Sequence, residues 1–274
     1  MPYRFSLAYL TVMEVQPPEA VRIAAACGYQ HVGLRLLPAG TEAPFPIMGD
    51  KAMLRETQQA LADTGVTVAD IEIVRIGANF DPHTFQAFLE RGAELGAKHI
   101  LVAGDDADLQ RCADNFAAFC ELAAQYQLTA DLEFMPWTEV KNLRDAQTVL
   151  DLAAHPNGFI LIDALHFGRS ATTLAEVAAL DSRRVNYVQF CDAPFIANPT
   201  TEQLIHTARA ERLLPGEGDI DVRGLLQAIP RDTVLSLEIP QRERAKTVSA
   251  LQRAKEAIVA MQGLIAEANR KNQP

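Results

Sequence analysis

The chain has 274 residues, of which 49% are hydrophobic, and its formal net charge of -10 argues against a surface built for the phosphate backbone of nucleic acids. Its apolar runs fall short of the roughly 18 residues that a membrane span needs, and the N-terminal MPYRFSLAYL lacks the pattern of a secretion signal. We therefore expect a cytoplasmic protein that binds neither nucleic acid nor a membrane.

Short apolar runs of strand length alternate with amphipathic stretches of helical length along the chain. The predicted strands cover 4–10, 30–35, 68–74, 99–103, 129–133, 159–163, 185–190 and 233–238. The predicted helices cover 17–27, 50–64, 82–96, 107–126, 142–154, 171–180, 200–210, 221–228 and 243–269. Such alternation is typical of parallel strands joined by crossover helices, and eight units favour a closed barrel. We expect an α/β fold: a single (β/α)8 TIM barrel domain over residues 1–274, with an extra C-terminal helix.

Four consecutive predicted strands end in an oxygen-bearing side chain. The runs are TADLEF, GFILID, VNYVQF and TVLSLE, and the end residues are Glu133, Asp163, Gln189 and Glu238. Parallel strands of a closed barrel bring these ends together on the face where active sites are built. Three carboxylates at one point repel each other unless a cation lies between them. The pattern predicts a divalent metal site, for Mn²⁺ above all, with Mg²⁺, Zn²⁺ or Co²⁺ as alternatives.

Other side chains near predicted strand ends are candidates for substrate contact. His166 lies just beyond the sixth strand, where we expect it to bind substrate or move a proton, although an isolated histidine is often structural. Trp137 follows the fifth strand and would overhang the pocket. Arginine is the natural partner of a carboxylate or phosphate group. The candidate arginines are Arg35, Arg75, Arg209 and Arg212. We expect at least one of them to bind substrate. The preferred candidates are Arg75, Arg209 and Arg212.

The long segment between the last two strands contains Asp192 and the turn sequence PGEGDID, which we interpret as part of the rim of the pocket. Asp192 fits a turn former, or a residue that orients a ligand, better than it fits a ligand. No lysine ends a predicted strand, which argues against Schiff-base chemistry. The nucleophile elbow, the P-loop and the dinucleotide fingerprint are absent from the sequence.

Taken in order, the motifs GYQHVGLRL, LEFMPW, ID-x-x-H, YVQFCDAP, PGEGDID and LSLEIP resemble the xylose isomerase-like TIM barrel superfamily of sugar phosphate isomerases and epimerases. The resemblance implies metal ligands at Glu133, Asp163, Gln189 and Glu238, and a substrate contact at His166. Many epimerases of the family carry histidine in place of Gln189. The YVQ-x-x-DAP segment is also similar to 3-dehydroshikimate dehydratases of this superfamily. Strand two also differs from the family pattern, because Gly33 stands where many relatives have glutamate.

The expected function is a metal-dependent isomerase or epimerase that acts on a small sugar or sugar-like polyhydroxy carbonyl compound through a metal-stabilised enediolate. Glu133 and Glu238 are the expected base and acid, with His166 as the third catalytic residue. The alternative is a lyase of the 3-dehydroshikimate dehydratase type. A multi-zinc endonuclease is disfavoured because the chain has only six histidines. A barrel without catalytic activity that serves as a binding module remains a further alternative. The expected partner is a small-molecule substrate, and a homo-oligomer is left open.

Overall fold

A computed structural model describes residues 3–271, and in it eight parallel strands close into a barrel. The strands are β1 (Arg4–Leu7), β2 (His31–Arg35), β3 (Thr67–Ile76), β4 (His99–Gly104), β5 (Thr129–Glu133), β6 (Gly158–Asp163), β7 (Tyr187–Phe190) and β8 (Val234–Leu237). Each strand pairs with its neighbour in chain order, and β8 returns to pair with β1, with Leu237 opposite Leu7. The protein is a (β/α)8 TIM barrel, as the alternation of strands and helices predicts.

Helices connect successive strands and cover the outside of the barrel. They are α1 (Pro17–Cys27), α2 (Lys51–Thr64), α3 (Gln86–Glu94), α4 (Leu109–Gln125), α5 (Leu143–Ala153), α6 (Ala164–Arg169), α7 (Leu174–Ala179), α8 (Thr201–Ala210), α9 (Val222–Ala228) and α10 (Ala250–Lys271). Several begin at a polar residue whose side chain accepts hydrogen bonds from the first free backbone N–H groups, as Asp50 does for α2 and Asp108 for α4. The extra C-terminal helix of the prediction is α10.

The predicted strands agree with the structure to within a few residues, and the largest difference is at β1. This strand ends at Leu7 instead of residue 10, because Tyr9–Val12 form a turn of 3-10 helix. The helix predicted over 82–96 begins as a 3-10 turn at Pro82–Phe85 and becomes α-helical only from Gln86. The outer boundaries predicted for the domain, residues 1 and 274, lie outside the part of the chain that the structure describes.

Two helical predictions are wrong in detail, and one helix was not predicted. The helix predicted over 171–180 is only Leu174–Ala179, since Thr173 caps it with a reciprocal bond to Glu176. The C-terminal helix predicted over 243–269 begins only at Ala250, because Arg244–Lys246 form a separate turn of 3-10 helix before it. Helix α6 was not predicted, although its first residue follows directly after the end of β6.

The apolar core lies mainly between the outer faces of the strands and the helices. Val32 and Ile71 on the strands, and Phe116 and Phe119 on α4, are completely buried in this layer. A smaller apolar cluster around Leu101 lies on the inner face of the barrel. This double packing holds the strands rigidly, so side chains at their C-terminal ends have fixed positions. Among residues 3–271, no helix is long and apolar enough to cross a membrane.

Candidate active site

The ends of β5 to β8 bring together the four side chains that the strand pattern singles out. Glu133, Asp163, Gln189 and Glu238 are all buried, with at most 3% of each residue exposed. Asp163 lies directly opposite Gln189 in the ladder between β6 and β7. The side chain of Gln189 donates a hydrogen bond of 3.0 Å to Oε1 of Glu238. The predicted cluster therefore forms at the C-terminal face of the barrel, where the strand register places it.

Asp163 serves two purposes at the end of β6. Its Oδ1 accepts hydrogen bonds from the backbone N–H groups of Leu165, at 2.6 Å, and His166, at 3.3 Å, and so caps α6. Its Oδ2 accepts a bond of 2.6 Å from the guanidinium group of Arg212. The short helix thus depends on the same carboxylate that faces the pocket, which explains why the chain turns sharply at this point.

Arg212 lies between two of the candidate ligands instead of at the rim. Its guanidinium group bonds Oδ2 of Asp163 at 2.6 Å and Oε2 of Glu238 at 2.8 Å, and the residue is only 2% exposed. A third bond, from Nε to the carbonyl oxygen of Ala208, anchors the side chain to α8. One buried cation therefore neutralises part of the charge of the carboxylate cluster.

Glu133 and His166 form the other side of the cluster. Oε1 of Glu133 lies 3.8 Å from Nε2 of His166 and has no hydrogen-bond partner within residues 3–271. Glu133, Asp163 and His166 each present a ligand atom within 4.8 Å of the others. The ring of Trp137 packs edge-on against the imidazole of His166, with ring centres 4.9 Å apart. The tryptophan therefore lies beside His166 at this side of the cluster, and its substrate contact stays a prediction.

Burial and charge change the pKa values of these groups in different directions. Burial, with the carboxylates of Asp163 and Glu238, raises the pKa of Glu133 well above its ordinary value. Burial likewise raises the pKa of Glu238 to about 8, against the opposing effect of Arg212. Burial would also raise the pKa of Asp163, but Arg212 and His166 hold it below its ordinary value. Burial lowers the pKa of His166 to about 4, so its imidazole is neutral at pH 7.

Arginines surround the mouth of the pocket, but they are not equivalent. Arg75 forms a bidentate pair with Asp105, with both bonds at 2.7 Å, and Arg35 is paired with Glu72. Arg209 makes no ion pair with any acid among residues 3–271. Burial, then Arg75 and Arg35, lower its pKa. A cavity of about 400 Å³ is lined by two of these cations, Arg35 and Arg209, and by a further arginine, Arg242. Tyr9 and the acid Glu42 complete its polar lining.

The sequence did not single out Arg242, and only its position four residues after Glu238 could have suggested it. The four Arg candidates of the sequence therefore separate into groups with different surroundings. Arg212 is inside the cluster, Arg35 and Arg75 are paired with acids, and Arg209 is the candidate that faces the mouth without a pairing acid in the described chain.

Asp192 organises the turn PGEGDID instead of joining the cluster. Its Oδ1 accepts bonds from the backbone N–H groups of Ala193 and Ile220, and its Oδ2 accepts one of 3.0 Å from Gly216. Gly218 packs so closely that an added Cβ would lie 2.5 Å from the carbonyl oxygen of Ala193. This agrees with the prediction that Asp192 forms a turn.

The donor set fits a divalent metal ion. Oε1 of Glu133 and Oε1 of Gln189 are buried oxygens that lack hydrogen-bond partners in the described part of the chain. Asp163 and Glu238 contribute two further carboxylates to the same cluster. Buried acceptors without donors are rare unless an ion or water satisfies them. The four strand-end residues offer oxygen atoms, which suit hard cations such as Mg²⁺ and Mn²⁺, and the imidazole of His166 adds a nitrogen that also suits Zn²⁺.

Comparison with solved structures finds the same fold in several proteins of low sequence identity. A xylose isomerase-like TIM barrel/4-hydroxyphenylpyruvate dioxygenase fusion protein is 20% identical with a TM-score of 0.83, and the match covers 100% of this chain and 45% of that one. This chain thus spans less than half of the fusion protein. The IolI protein with a binding zinc atom is 17% identical, with a TM-score of 0.77 and coverage of 98% and 99%.

The probable 3-DHS dehydratase AsbF from Bacillus anthracis, described as involved in petrobactin synthesis, is also 17% identical. Its TM-score is 0.74, and the match covers 94% of this chain and 98% of that one. At such identities these likenesses establish the fold alone. No curated protein sequence matches the chain significantly. Residues 21–262 match the family model described as xylose isomerase-like TIM barrel, and the chain therefore belongs to that family.

Proposed function

We propose that this protein is a divalent-metal-dependent isomerase or epimerase of a small sugar or sugar-like polyhydroxy carbonyl compound. The observation that carries the proposal is the buried cluster at the ends of β5 to β8, in which Glu133 and Gln189 each keep an oxygen without a partner among residues 3–271. Membership of the xylose isomerase-like family supports an enzyme. The expected ligand is one small molecule, bound at the C-terminal face of the barrel.

The residues that would hold the ion are the four that end the strands. These are Glu133, Asp163, Gln189 and Glu238. Manganese is the first choice for this oxygen set, with magnesium, zinc or cobalt as alternatives. A bound divalent ion supplies a Lewis acid for the carbonyl oxygen of the substrate and for the hydroxyl oxygen next to it.

Glu133 is the best candidate for the base that removes a proton from carbon. Its burial beside His166 and its raised pKa favour uptake of a proton in a water-poor pocket. Glu238 is the candidate for returning the proton, since its pKa near 8 lets it carry one at neutral pH. Arg212 holds Glu238 in place and would keep its second oxygen directed away from the substrate.

His166 would orient a substrate oxygen as a neutral imidazole. Its Nδ1 is buried and has no partner in the described chain, while Nε2 faces Glu133. A neutral ring can donate a hydrogen bond from one nitrogen and accept one at the other. Trp137 packs against the ring and limits its rotation, and so fixes the direction of these bonds.

A second candidate reaction is dehydration of a carboxylated cyclic ketone of the 3-dehydroshikimate type. The cavity lined by Arg35, Arg209 and Arg242 favours it, because a neutral sugar has no group that needs guanidinium partners. In this reaction Glu133 would again remove the proton next to the carbonyl, and the neighbouring hydroxyl group would leave as water. The similarity of the YVQ-x-x-DAP segment to such dehydratases points the same way.

The first test is the metal content of protein purified without added metal. We expect about one divalent ion per chain in the wild type, and loss of it in a Glu133→Ala, Glu238→Ala double variant. Asp105→Ala is the matched control, since it removes a carboxylate from the same face but outside the cluster. A wild-type protein without affinity for Mn²⁺ would contradict both candidate functions.

Substrate assays then separate the two reactions. Incubation of the metal-loaded protein with neutral ketoses, phosphorylated ketoses and sugar acids in D₂O would reveal an isomerase or epimerase by deuterium incorporation next to the carbonyl. Incubation with 3-dehydroshikimate would reveal the dehydratase by formation of protocatechuate. Dehydration with no ketose turnover would replace the first proposal by the second.

A further inference from the structure

One layer below the carboxylate cluster, several polar side chains lie among the apolar residues on the inside of the barrel. Barrels of this fold usually carry branched apolar residues there. Ser6 on β1, Asp70 on β3, Tyr187 on β7 and Ser236 on β8 are at most 1% exposed. Tyr187 and Ser236 each lie two residues before a residue of the cluster. Because side chains of a strand alternate between its faces, they face the same interior, one step lower.

This layer also has unusually small side chains on one side. Ser6 pairs directly with Ser236 across β1 and β8, and Gly33 on the next strand pairs with Asp70. On β2, His31 pairs with Ser6, and Gly33 follows two residues later on the same strand. An added Cβ at Gly33 would lie 2.8 Å from Oδ2 of Asp70. The carboxylate therefore occupies space that a side chain at residue 33 would need. Little side-chain volume stands between Asp70 and β1.

The polar atoms of this layer have no protein partners within residues 3–271. They are Ser6 Oγ, Asp70 Oδ1, Asp70 Oδ2, Tyr187 Oη and Ser236 Oγ. All five are oxygens. Buried polar atoms in folded proteins nearly always have a partner, so an occupant from solvent is required to satisfy this group.

The carboxylate of Asp70 also differs from others on the inner face of the barrel. Glu72 is paired with Arg35, and Asp131 accepts a hydrogen bond of 2.5 Å from the hydroxyl group of Thr129. Among the described residues Asp70 has no hydrogen-bond donor and no ion-pair partner within 4 Å, and Arg35 acts on it only from a greater distance. An ionised carboxylate buried without either is strongly unfavourable.

We infer that a monovalent cation, Na⁺ or K⁺, binds inside the barrel between Asp70, Ser6, Tyr187 and Ser236. Oxygen-only surroundings suit a hard cation, and the single carboxylate matches a single positive charge. This site is separate from the proposed divalent site and does not depend on the proposed function. The competing state is a protonated Asp70 surrounded by water, since burial and the nearby Glu72 raise its pKa.

Thermal unfolding in different salts tests the inference. Wild-type protein would be compared in NaCl or KCl and in tetramethylammonium chloride, at the same ionic strength of about 0.1 M, so that general screening is equal. We expect Tm to rise by about 4 °C in the small cation that binds, which corresponds to an ion present at about 100 times its Kd. An unchanged Tm in both NaCl and KCl would overturn the inference in favour of water.

Two variants and a control make the result specific to this site. Asp70→Asn keeps the shape of the side chain, and Gly33→Ala displaces its carboxylate, so both should abolish the dependence on the cation. Asp131→Asn changes another buried carboxylate and should preserve the dependence. Dependence that persists in Asp70→Asn would refute the site. Should both variants fail to fold, anomalous diffraction from wild-type crystals soaked in Rb⁺ decides: a peak beside Asp70 supports the site, and none refutes it.

Discussion

Replacing Arg212 with leucine gives the sharpest test of how the carboxylate cluster is held together. Arg212 is 2% exposed and bonds Asp163 at 2.6 Å and Glu238 at 2.8 Å. Its loss leaves two buried carboxylates without a counter-charge. Loss of one partner of a buried ion pair costs about 3–5 kcal/mol, and Gln189 and the α6 backbone still bond the carboxylates, so we expect about 3 kcal/mol. For a chain of this size that lowers Tm by roughly 5 °C.

The same variant should respond more strongly to metal than the wild type. Without the guanidinium group, Asp163 and Glu238 lose the cation that bonds both of them, so saturating Mn²⁺ should restore most of the lost stability. The assay is thermal unfolding of EDTA-treated protein with and without Mn²⁺. Arg253→Leu is the control, because Arg253 is equally buried but forms its ion pair with Glu14, which is not a residue of the cluster. Equal metal stabilisation in both variants, or a metal-free Arg212→Leu as stable as the wild type, would refute the reasoning.

Glu133→Gln should lower turnover by about 1000-fold, within the usual range for loss of a general base, and leave Tm almost unchanged; steady-state kinetics and thermal unfolding check this. In the metal-free protein, Glu238 contributes stability that is complete below its unfolded pKa and is lost as pH rises toward its folded pKa of about 8. Unfolding by guanidinium chloride at several pH values should therefore give a free energy of unfolding that depends less on pH in Glu238→Gln than in the wild type. Parallel pH dependences in the two proteins would contradict this. Arg209→Ala and Arg242→Ala should each raise KM for an anionic substrate by about 10-fold with little change in kcat. A lower kcat with unchanged KM would contradict a role of these arginines in binding the substrate anion.

The candidate ligands could be predicted from the sequence because strand period and strand end are local properties. An apolar run that ends in an acid places that acid on the active face whenever the run is a barrel strand, and this holds for Glu133 and Asp163. The metal-ligand role itself stays a prediction. Helix α6 escaped prediction because Asp163 both ends β6 and caps the helix, and a segment of six residues is too short to show a helical period.

Contacts between distant parts of the chain could not be predicted. Arg212 was expected to bind substrate, and nothing in its local sequence shows that it reaches Asp163, 49 residues away. The pairing of Arg35 with Glu72 depends on the register between β2 and β3, which is irregular after Val32. Asp70 offered no signal, since its lack of a partner becomes visible only when the strands around it are in place.

The way Asp192 holds the PGEGDID turn has a consequence for engineering this enzyme. One carboxylate fastens the turn to the end of β7, and Gly218 tolerates no side chain there, so randomising the turn would mostly yield unfolded or inactive clones. The preceding segment carries the exposed Phe195, whose backbone N–H bonds Oδ2 of Asp219 at 2.7 Å, and Arg209, which lines the cavity beside Arg35. A library meant to change substrate preference should therefore vary residues 195–209 and leave Asp192 and the turn intact.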